Sequence, residues 1–170
     1  MRSELCAAIA VLLLASATAT SAQVRHTQPD LAFPKEAGEL SLFSPIAMGV
    51  WKPEGDGPHP AVILVHSCGG MKQQLGFWRK EAVKRGYVAF IIDAFTSRGS
   101  PNCRPAAPIP MTRGVKDVLD AAAHLKTFPF VDKTRIATIG FSWGAMAGML
   151  AGSTGYASDV APGLDRLTAA

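Results

Sequence analysis

Three short runs of continuously apolar, largely β-branched residues divide the chain and predict buried strands. They are Ala61–Val65, Val88–Ile92 and Ile136–Ile139. Unbroken apolar runs of this length are typical of strands that are covered on both faces of a parallel sheet. Two further strands are predicted nearer the N-terminus, over Glu39–Ser44 and Ala47–Trp51.

Helices are predicted between and after these buried strands. Phe77–Arg85 is followed by Gly86, a residue that suits the C-terminal cap of a helix. Trp143–Leu150 is a second predicted helix. A third, Arg113–Thr127, carries apolar side chains at helical spacing, namely Val115, Val118, Leu119, Ala122 and Leu125. The alternation of strands and helices predicts an α/β fold, in which helices cover both faces of a mostly parallel sheet.

Functional residues of such sheets gather at the carboxyl ends of the strands. Three loops are predicted to meet at that edge: His66–Gly70, Phe95–Met111 and Gly140–Gly144. The chemistry is therefore sought in these three loops.

The loop Gly140–Gly144 reads G-F-S-W-G between a buried strand and a helix, which is the context of a nucleophile elbow. In that turn Ser142 is held clear of the sheet, and a side chain at Gly140 or Gly144 would collide with neighbouring backbone. The N-terminus of the following helix favours a developing negative charge. The alternative is an ordinary strand-to-helix turn with an incidental serine.

The loop His66–Gly70 reads H-S-C-G-G and follows the first buried strand. Its position predicts an oxyanion hole formed by the backbone N–H groups of Cys68 and Trp143. His66 is interpreted as a residue that orients the loop through hydrogen bonds. The alternative is that His66 acts as the general base.

Met1–Ala22 is typical of a secretory signal peptide. Arg2 supplies the positive charge, and the apolar run Leu5–Ala17 is too short to span a bilayer. Cleavage is predicted after Ala22 or, alternatively, after Ala19. A membrane-retained anchor is the other interpretation. A polar arm over 23–38 and one α/β domain over 39–170 are predicted to follow.

The composition excludes several classes of function. The net charge is +4, but the basic residues are scattered and aromatic residues do not alternate with them, which argues against nucleic-acid binding. No C-x-x-C pair is present, so neither a thioredoxin-type site nor a zinc ribbon is indicated. The signal predicts export to the periplasm or the medium, with no membrane association after cleavage.

From Glu39 to Leu150 the sequence resembles the dienelactone hydrolase family of α/β-hydrolases, especially its exported members. The residues that carry the resemblance are H-S-C-G-G (66–70), R-G-Y-V-A-F-I-I-D-A-F (85–95), R-G (98–99) with Cys103 after it, R-x-x-x-D (113–117) and V-D-K-T-R-I-A-T-I-G-F-S-W-G (131–144). The resemblance implies hydrolysis of small-molecule ester or lactone bonds through an acyl-enzyme, with no metal and no organic cofactor.

The chain departs from the founding members of that family at two positions. They use a cysteine nucleophile where this chain has Ser142, and a glutamate where it has Ser67. Both differences favour a serine esterase over an enzyme for dienelactone itself. Arg98, Arg104 and Arg113 lie in or beside the loop after the second buried strand and are candidates for binding substrate.

Cys68 and Cys103 remain after signal cleavage and lie on two neighbouring loops of the predicted active edge. An oxidising compartment would preserve a disulfide between them. The alternative is two unpaired thiols. The oligomeric state is not indicated by the sequence.

The catalytic triad is incomplete in the printed sequence. In α/β-hydrolases the acid and the histidine follow the nucleophile, but the residues after Ser142 include Asp159 and Asp165 and no histidine. Three hypotheses follow: an inactive N-terminal portion of an exported serine esterase that lacks its later strands, a non-catalytic remnant that binds an apolar ligand or another chain, and an active enzyme with His66 as base.

Overall fold

A computed structural model describes residues 49–104, 109–164 and 167. Within these ranges the chain forms β1 (Gly49–Trp51), β2 (His59–Val65), α1 (Gln73–Lys84), β3 (Val88–Ile92), α2 (Met111–Leu125), β4 (Val131–Gly140), α3 (Trp143–Gly152) and α4 (Thr154–Val160). The predicted signal peptide, the polar arm and the predicted strand Glu39–Ser44 lie outside the described residues.

The described strands form one mixed sheet in the order β1-β3-β2-β4. Strand β2 runs parallel to β3 and to β4, whereas β1 runs antiparallel to β3. Val65 at the end of β2 lies opposite Ile92 of β3 and Gly140 of β4. The three parallel strands therefore end level with one another, and the predicted α/β fold with its mostly parallel sheet is confirmed.

Side chains on successive residues of β2 point to opposite faces of the sheet and enter two separate clusters. Val62 and Leu64 pack with Leu75 and Ala82 of α1 on one face. The opposite face is covered by α2, α3 and α4, and its buried side chains include Ala61, Ile63, Val65, Phe90, Ile92, Val115, Val118, Leu119, Ala147 and Ala157. Helices thus cover both faces, which explains why β2 and β3 are apolar over Ala61–Val65 and Val88–Ile92.

The end of α1 is fixed by the glycine that the sequence marks as its cap. Gly86 has φ +82°, and its N–H donates to the Val83 carbonyl oxygen at 3.0 Å. The Tyr87 N–H donates to the Ala82 carbonyl oxygen at 3.0 Å. These two bonds form a Schellman motif, which requires a residue that accepts positive φ.

Several boundaries differ from the predicted ones. Helix α1 begins at Gln73 rather than Phe77, because its first turn carries the exposed Gln73 and Gln74 and only one buried apolar side chain, Leu75. Strand β4 begins at Val131 rather than Ile136, since Val131 pairs with His59 across a shift in register. The short helix α4 has no predicted counterpart.

A buried ion cluster ties the loop after β3 to helix α2. Arg98 donates from Nη1 to Asp117 Oδ2 at 2.7 Å and from Nη2 to Asp117 Oδ1 at 2.6 Å, while Arg113 Nε donates to Oδ1 at 2.9 Å. All three side chains are fully buried. The i, i+4 spacing of Arg113 and Asp117 predicts only a helix ion pair worth a few tenths of a kcal/mol, whereas loss of one partner from a buried pair costs about 3–5 kcal/mol.

The same cluster corrects the interpretation of the candidate arginines. Arg98 and Arg113 are committed to Asp117 in the core, so they do not present guanidinium groups at the surface. Arg104 is exposed.

Candidate active site

Ser142 lies in the turn between β4 and α3 and has a strained backbone. Its φ is 50° and its ψ is −110°, and it has the only positive φ among the non-glycine residues that the structure describes. Its side chain is exposed. A backbone in so sparsely populated a region costs on the order of 1–3 kcal/mol and persists only where the surrounding structure imposes it.

Two glycines make this turn sterically feasible. A methyl group at Gly140 would lie 2.3 Å from the carbonyl carbon of Gly144. A methyl group at Gly144 would lie 2.5 Å from the His66 carbonyl oxygen and 2.6 Å from that of Val65. The first turn of α3 therefore rests directly on the end of β2, at backbone contact distance.

The side chain of Trp143 anchors the same turn to the core. It is nearly fully buried, and its ring centre lies 4.7 Å from that of Phe95 and 6.0 Å from that of His66. On α2, a methyl group at Gly114 would lie only 2.5 Å from Cη2 of Trp143. The indole is therefore a packing group, and only the backbone N–H of Trp143 remains available to the site.

The two predicted oxyanion donors do not form other hydrogen bonds among the described residues. Within the described ranges, neither the Cys68 N–H nor the Trp143 N–H donates to a protein acceptor. Trp143 is the first residue of α3, where backbone N–H groups carry the positive end of the helix dipole. The N-terminus of α3 is suited to stabilising an anion beside Ser142.

His66 is fully buried and uses both ring nitrogens. The Ala94 N–H donates to Nε2 at 2.9 Å, so Nε2 is an acceptor and the proton is assigned to Nδ1. Nδ1 then donates to the Ser67 carbonyl oxygen at 2.8 Å. His66 thus joins the loop after β2 to the end of β3, and neither ring nitrogen is left to accept a proton from Ser142.

Asp93, directly after β3, caps the next turn. Its Oδ1 accepts the N–H of Phe95 at 3.0 Å and that of Thr96 at 2.9 Å, and lies 3.5 Å from His66 Nε2. Burial by itself raises the pKa of the Asp93 carboxyl, but contacts with His66 and Thr96 and the two backbone N–H groups outweigh it and lower the pKa to about 2.

Cys68 and Cys103 form a disulfide with a Cα–Cα distance of 4.9 Å, within the usual range for such bridges. The Cys103 N–H also donates to the Cys68 carbonyl oxygen at 3.0 Å. The loop after β3 is therefore bonded directly to the loop that carries one predicted oxyanion donor.

The described residues contain no cluster of His, Cys, Asp and Glu side chains that could hold a metal ion. Nor does any helix in the described ranges have the length and apolar character needed to cross a membrane.

Two features of the site are not deduced from the sequence. Gly114 is distant from the G-F-S-W-G motif, yet its missing side chain makes room for Trp143. The pairing of Arg98 with Asp117 joins two predicted elements, and only the unusual position of a charged pair on the apolar face of α2 could have indicated it.

Comparisons with known proteins agree with this fold. A family model described as dienelactone hydrolase family matches residues 46–162. Esterase 2 of Thermogutta terrifontis, solved with propionate bound, shares the fold with a TM-score of 0.55 and 17% identity, over 80% of this chain and 53% of that one. The same esterase phosphoramylated by tabun matches with a TM-score of 0.52 and 18% identity, over 78% of this chain and 52% of that one.

An uncharacterised protein of Escherichia coli K12, YcjY, is 32% identical over 91 residues, which are 51% of this chain and 28% of YcjY. The chain thus spans about half the length of the two esterase structures and less of YcjY.

The space at the elbow can be tested with a pair of glycine substitutions. We expect Gly144→Ala to lower the free energy of unfolding by at least ~2 kcal/mol, because its methyl group would meet backbone carbonyls. Gly76→Ala in α1 is the matched control, because nothing lies within 4 Å of the new methyl group. The higher helix propensity of alanine should raise the free energy of unfolding of this variant by up to ~1 kcal/mol. Urea unfolding measures both. Equal effects would contradict the steric account.

Asp93 should make stability depend on pH in the acid range. Its folded pKa of about 2 is below the unfolded value near 4, so the ionised carboxylate stabilises the fold above about pH 4 and this contribution disappears as the pH falls toward 2. We expect Asp93→Asn to be about 2 kcal/mol less stable than the wild type at pH 6, with the difference shrinking toward pH 2. A difference in unfolding free energy that stays constant over this range would contradict the assignment.

Proposed function

The chain belongs to the dienelactone hydrolase family, and we propose that it supplies the nucleophile and oxyanion hole of a hydrolase that cleaves carboxylic ester or lactone bonds through a Ser142 acyl-enzyme. The observation that carries the proposal is the exposed Ser142 with its positive φ at the N-terminus of α3. A strained serine at this point of an α/β sheet is the arrangement of a nucleophile elbow.

In the proposed reaction Ser142 Oγ attacks the carbonyl carbon, and the hydroxyl proton passes to a base. The negative charge that develops on the carbonyl oxygen is stabilised by the N–H groups of Cys68 and Trp143. The alcohol then leaves with a proton, and water hydrolyses the acyl-serine. Removing one such N–H donor typically costs about 3–4 kcal/mol of transition-state stabilisation.

The described histidines are poorly placed to act as the base. Both ring nitrogens of His66 are used, and His59 lies at the opposite end of β2 from Ser142. His124 packs against Phe90 and Phe128 on the far part of α2. We therefore propose that the base comes from outside the described residues, and that these residues alone support little turnover.

The substrate that best fits the site is a small-molecule ester rather than dienelactone. Ser142 stands where the founding members of the family have a cysteine nucleophile, and Ser67 stands where they have a glutamate. The propionate-bound esterase that shares the fold suggests short acyl esters as the first substrates to assay.

We also propose that the protein is exported to the periplasm or the medium. The sequence of Met1–Ala22 and the Cys68–Cys103 disulfide support an oxidising compartment. We expect the N-terminal residue of the exported protein to be Gln23, or Thr20 after the alternative cleavage; an intact Met1 in the exported protein would refute cleavage.

Substitutions at Ser142 separate nucleophilicity from stability. In the protein together with its base, a reactive organophosphonate should form an adduct on the peptide that contains Ser142, and Ser142→Ala should form none. Ser142→Gly should also form none, yet be more stable than the wild type by about 1 kcal/mol, because glycine accepts the positive φ. Peptide mass spectrometry and urea unfolding measure the two effects. An adduct that persists in Ser142→Ala would sink the proposal.

A further inference from the structure

The segment Asp93–Cys103, here called the β3 strap, is held at three points. At its start, the Ala94 N–H donates to His66 Nε2 at 2.9 Å. At its middle, Arg98 ends a short 3₁₀ helix and enters the core. At its end, Cys103 is bonded to Cys68. The first and last points tie the strap to the loop after β2, and the middle point ties it to α2.

The middle anchor connects the strap to the helix that also supports the elbow. Arg98 makes two hydrogen bonds to Asp117 of α2 and a third, 2.7 Å long, to the Ala94 carbonyl oxygen. The same helix carries Gly114, against which Trp143 packs. The strap and the first turn of α3 thus both contact helix α2.

The end anchor lies directly on the loop after β2. Besides the disulfide and the Cys103 N–H bond to the Cys68 carbonyl oxygen, the Pro101 carbonyl oxygen would lie 2.8 Å from a methyl group at Gly70. Gly70 has φ +75° and closes the turn that begins at Ser67. The strap therefore contacts Cys68 through its side chain and its carbonyl oxygen, one peptide unit beyond the Cys68 N–H.

We propose that Cys103 is a positioning residue, which acts through its disulfide to hold the Cys68 N–H toward Ser142. In this proposal the buried Arg98–Asp117 pair fixes the strap, so that the disulfide can restrain Cys68. A bridge to a mobile segment would position nothing. This bridge holds Cys68 in place because its other end is fixed to α2 through Arg98. The inference rests on the proposed function in that it takes the Cys68 N–H as an oxyanion donor.

The proposal makes the site sensitive to thiol reductants. Both cysteines are only partly buried, so a dithiol can reach the bridge. A dithiol gives two electrons and two protons to the S–S bond; the bond breaks, two cysteine thiols form, and the dithiol closes to a cyclic disulfide. Cys68 then keeps only backbone contacts to the strap.

The test is amide hydrogen exchange in wild type, dithiothreitol-reduced wild type and Cys103→Ser. We expect exchange over residues 66–70 to become at least about tenfold faster in both altered forms, while the amides of β3 keep their rates. Unchanged exchange over 66–70 would overturn the proposal, because the bridge would then have no effect on that loop. An equal acceleration throughout the sheet would also overturn it, because the bridge would then contribute only to global stability.

The role of the buried ion pair is tested by a double-mutant cycle. Arg98→Lys keeps the charge but loses the paired hydrogen bonds, so it should also accelerate exchange over 66–70, and Arg98→Lys with Cys103→Ser should add little to either single change. Arg85→Lys, at an exposed pair with Glu81, is the matched control and should have no effect on that loop. Fully additive effects would show that Arg98 and Cys103 act independently and would overturn the coupling.

These readouts do not depend on the chemistry of Ser142. Normal labelling of Ser142 with no exchange response would refute the inference alone. A local exchange response without labelling of Ser142, in protein that includes the base, would refute the proposed function alone. Where the protein turns over an ester, reduction should lower kcat and leave KM nearly unchanged, because the oxyanion donor acts mainly on the transition state.

Discussion

The site depends on a contact between backbones, where the first turn of α3 meets the end of β2. At Gly144 the carbonyl oxygens of Val65 and His66 occupy the space that a Cβ would need. Because the helix can approach this closely, its N-terminus comes to lie beside the loop after β2. Ser142 is left with a positive φ and an exposed side chain as a result. The strained backbone of Ser142 and the absence of side chains at Gly140 and Gly144 both follow from this close approach of α3 to β2.

Around this contact the fold places groups that cannot move independently. Trp143 is enclosed by Phe95, His66 and Gly114, so the elbow is linked to β3, β2 and α2 at once. His66 in turn accepts a hydrogen bond from the N–H of Ala94, near the start of the β3 strap. Preorganised donors need no reorientation during a reaction, and such rigidity is what makes them effective.

Elements that follow from a local pattern are predicted correctly from the sequence. The apolar runs of β2 and β3 are buried on both faces, and Ile136–Ile139 of β4 is buried on one face and partly buried on the other. Gly86 ends α1 because only a residue tolerant of positive φ fits its cap. The G-F-S-W-G turn is of the same kind, since its requirements are met within five residues. What the sequence does not reveal depends on partners far along the chain. Asp117 is buried because Arg98, 19 residues earlier, reaches it from another element, and Val131 joins β4 because His59 is there to pair with it.

The close fit between Gly114 and Trp143 ties together the evolution of two positions that are far apart in sequence. Any side chain at 114 would overlap the indole, so that position can enlarge only after, or together with, a smaller residue at 143. A larger residue at 114 alone would overpack the core, and a smaller residue at 143 alone would leave a cavity. Simultaneous replacement of both residues is therefore favoured over two separate substitutions. The side chains at positions 114 and 143 therefore share one fixed volume, and among homologues the two residues are expected to vary jointly or not at all.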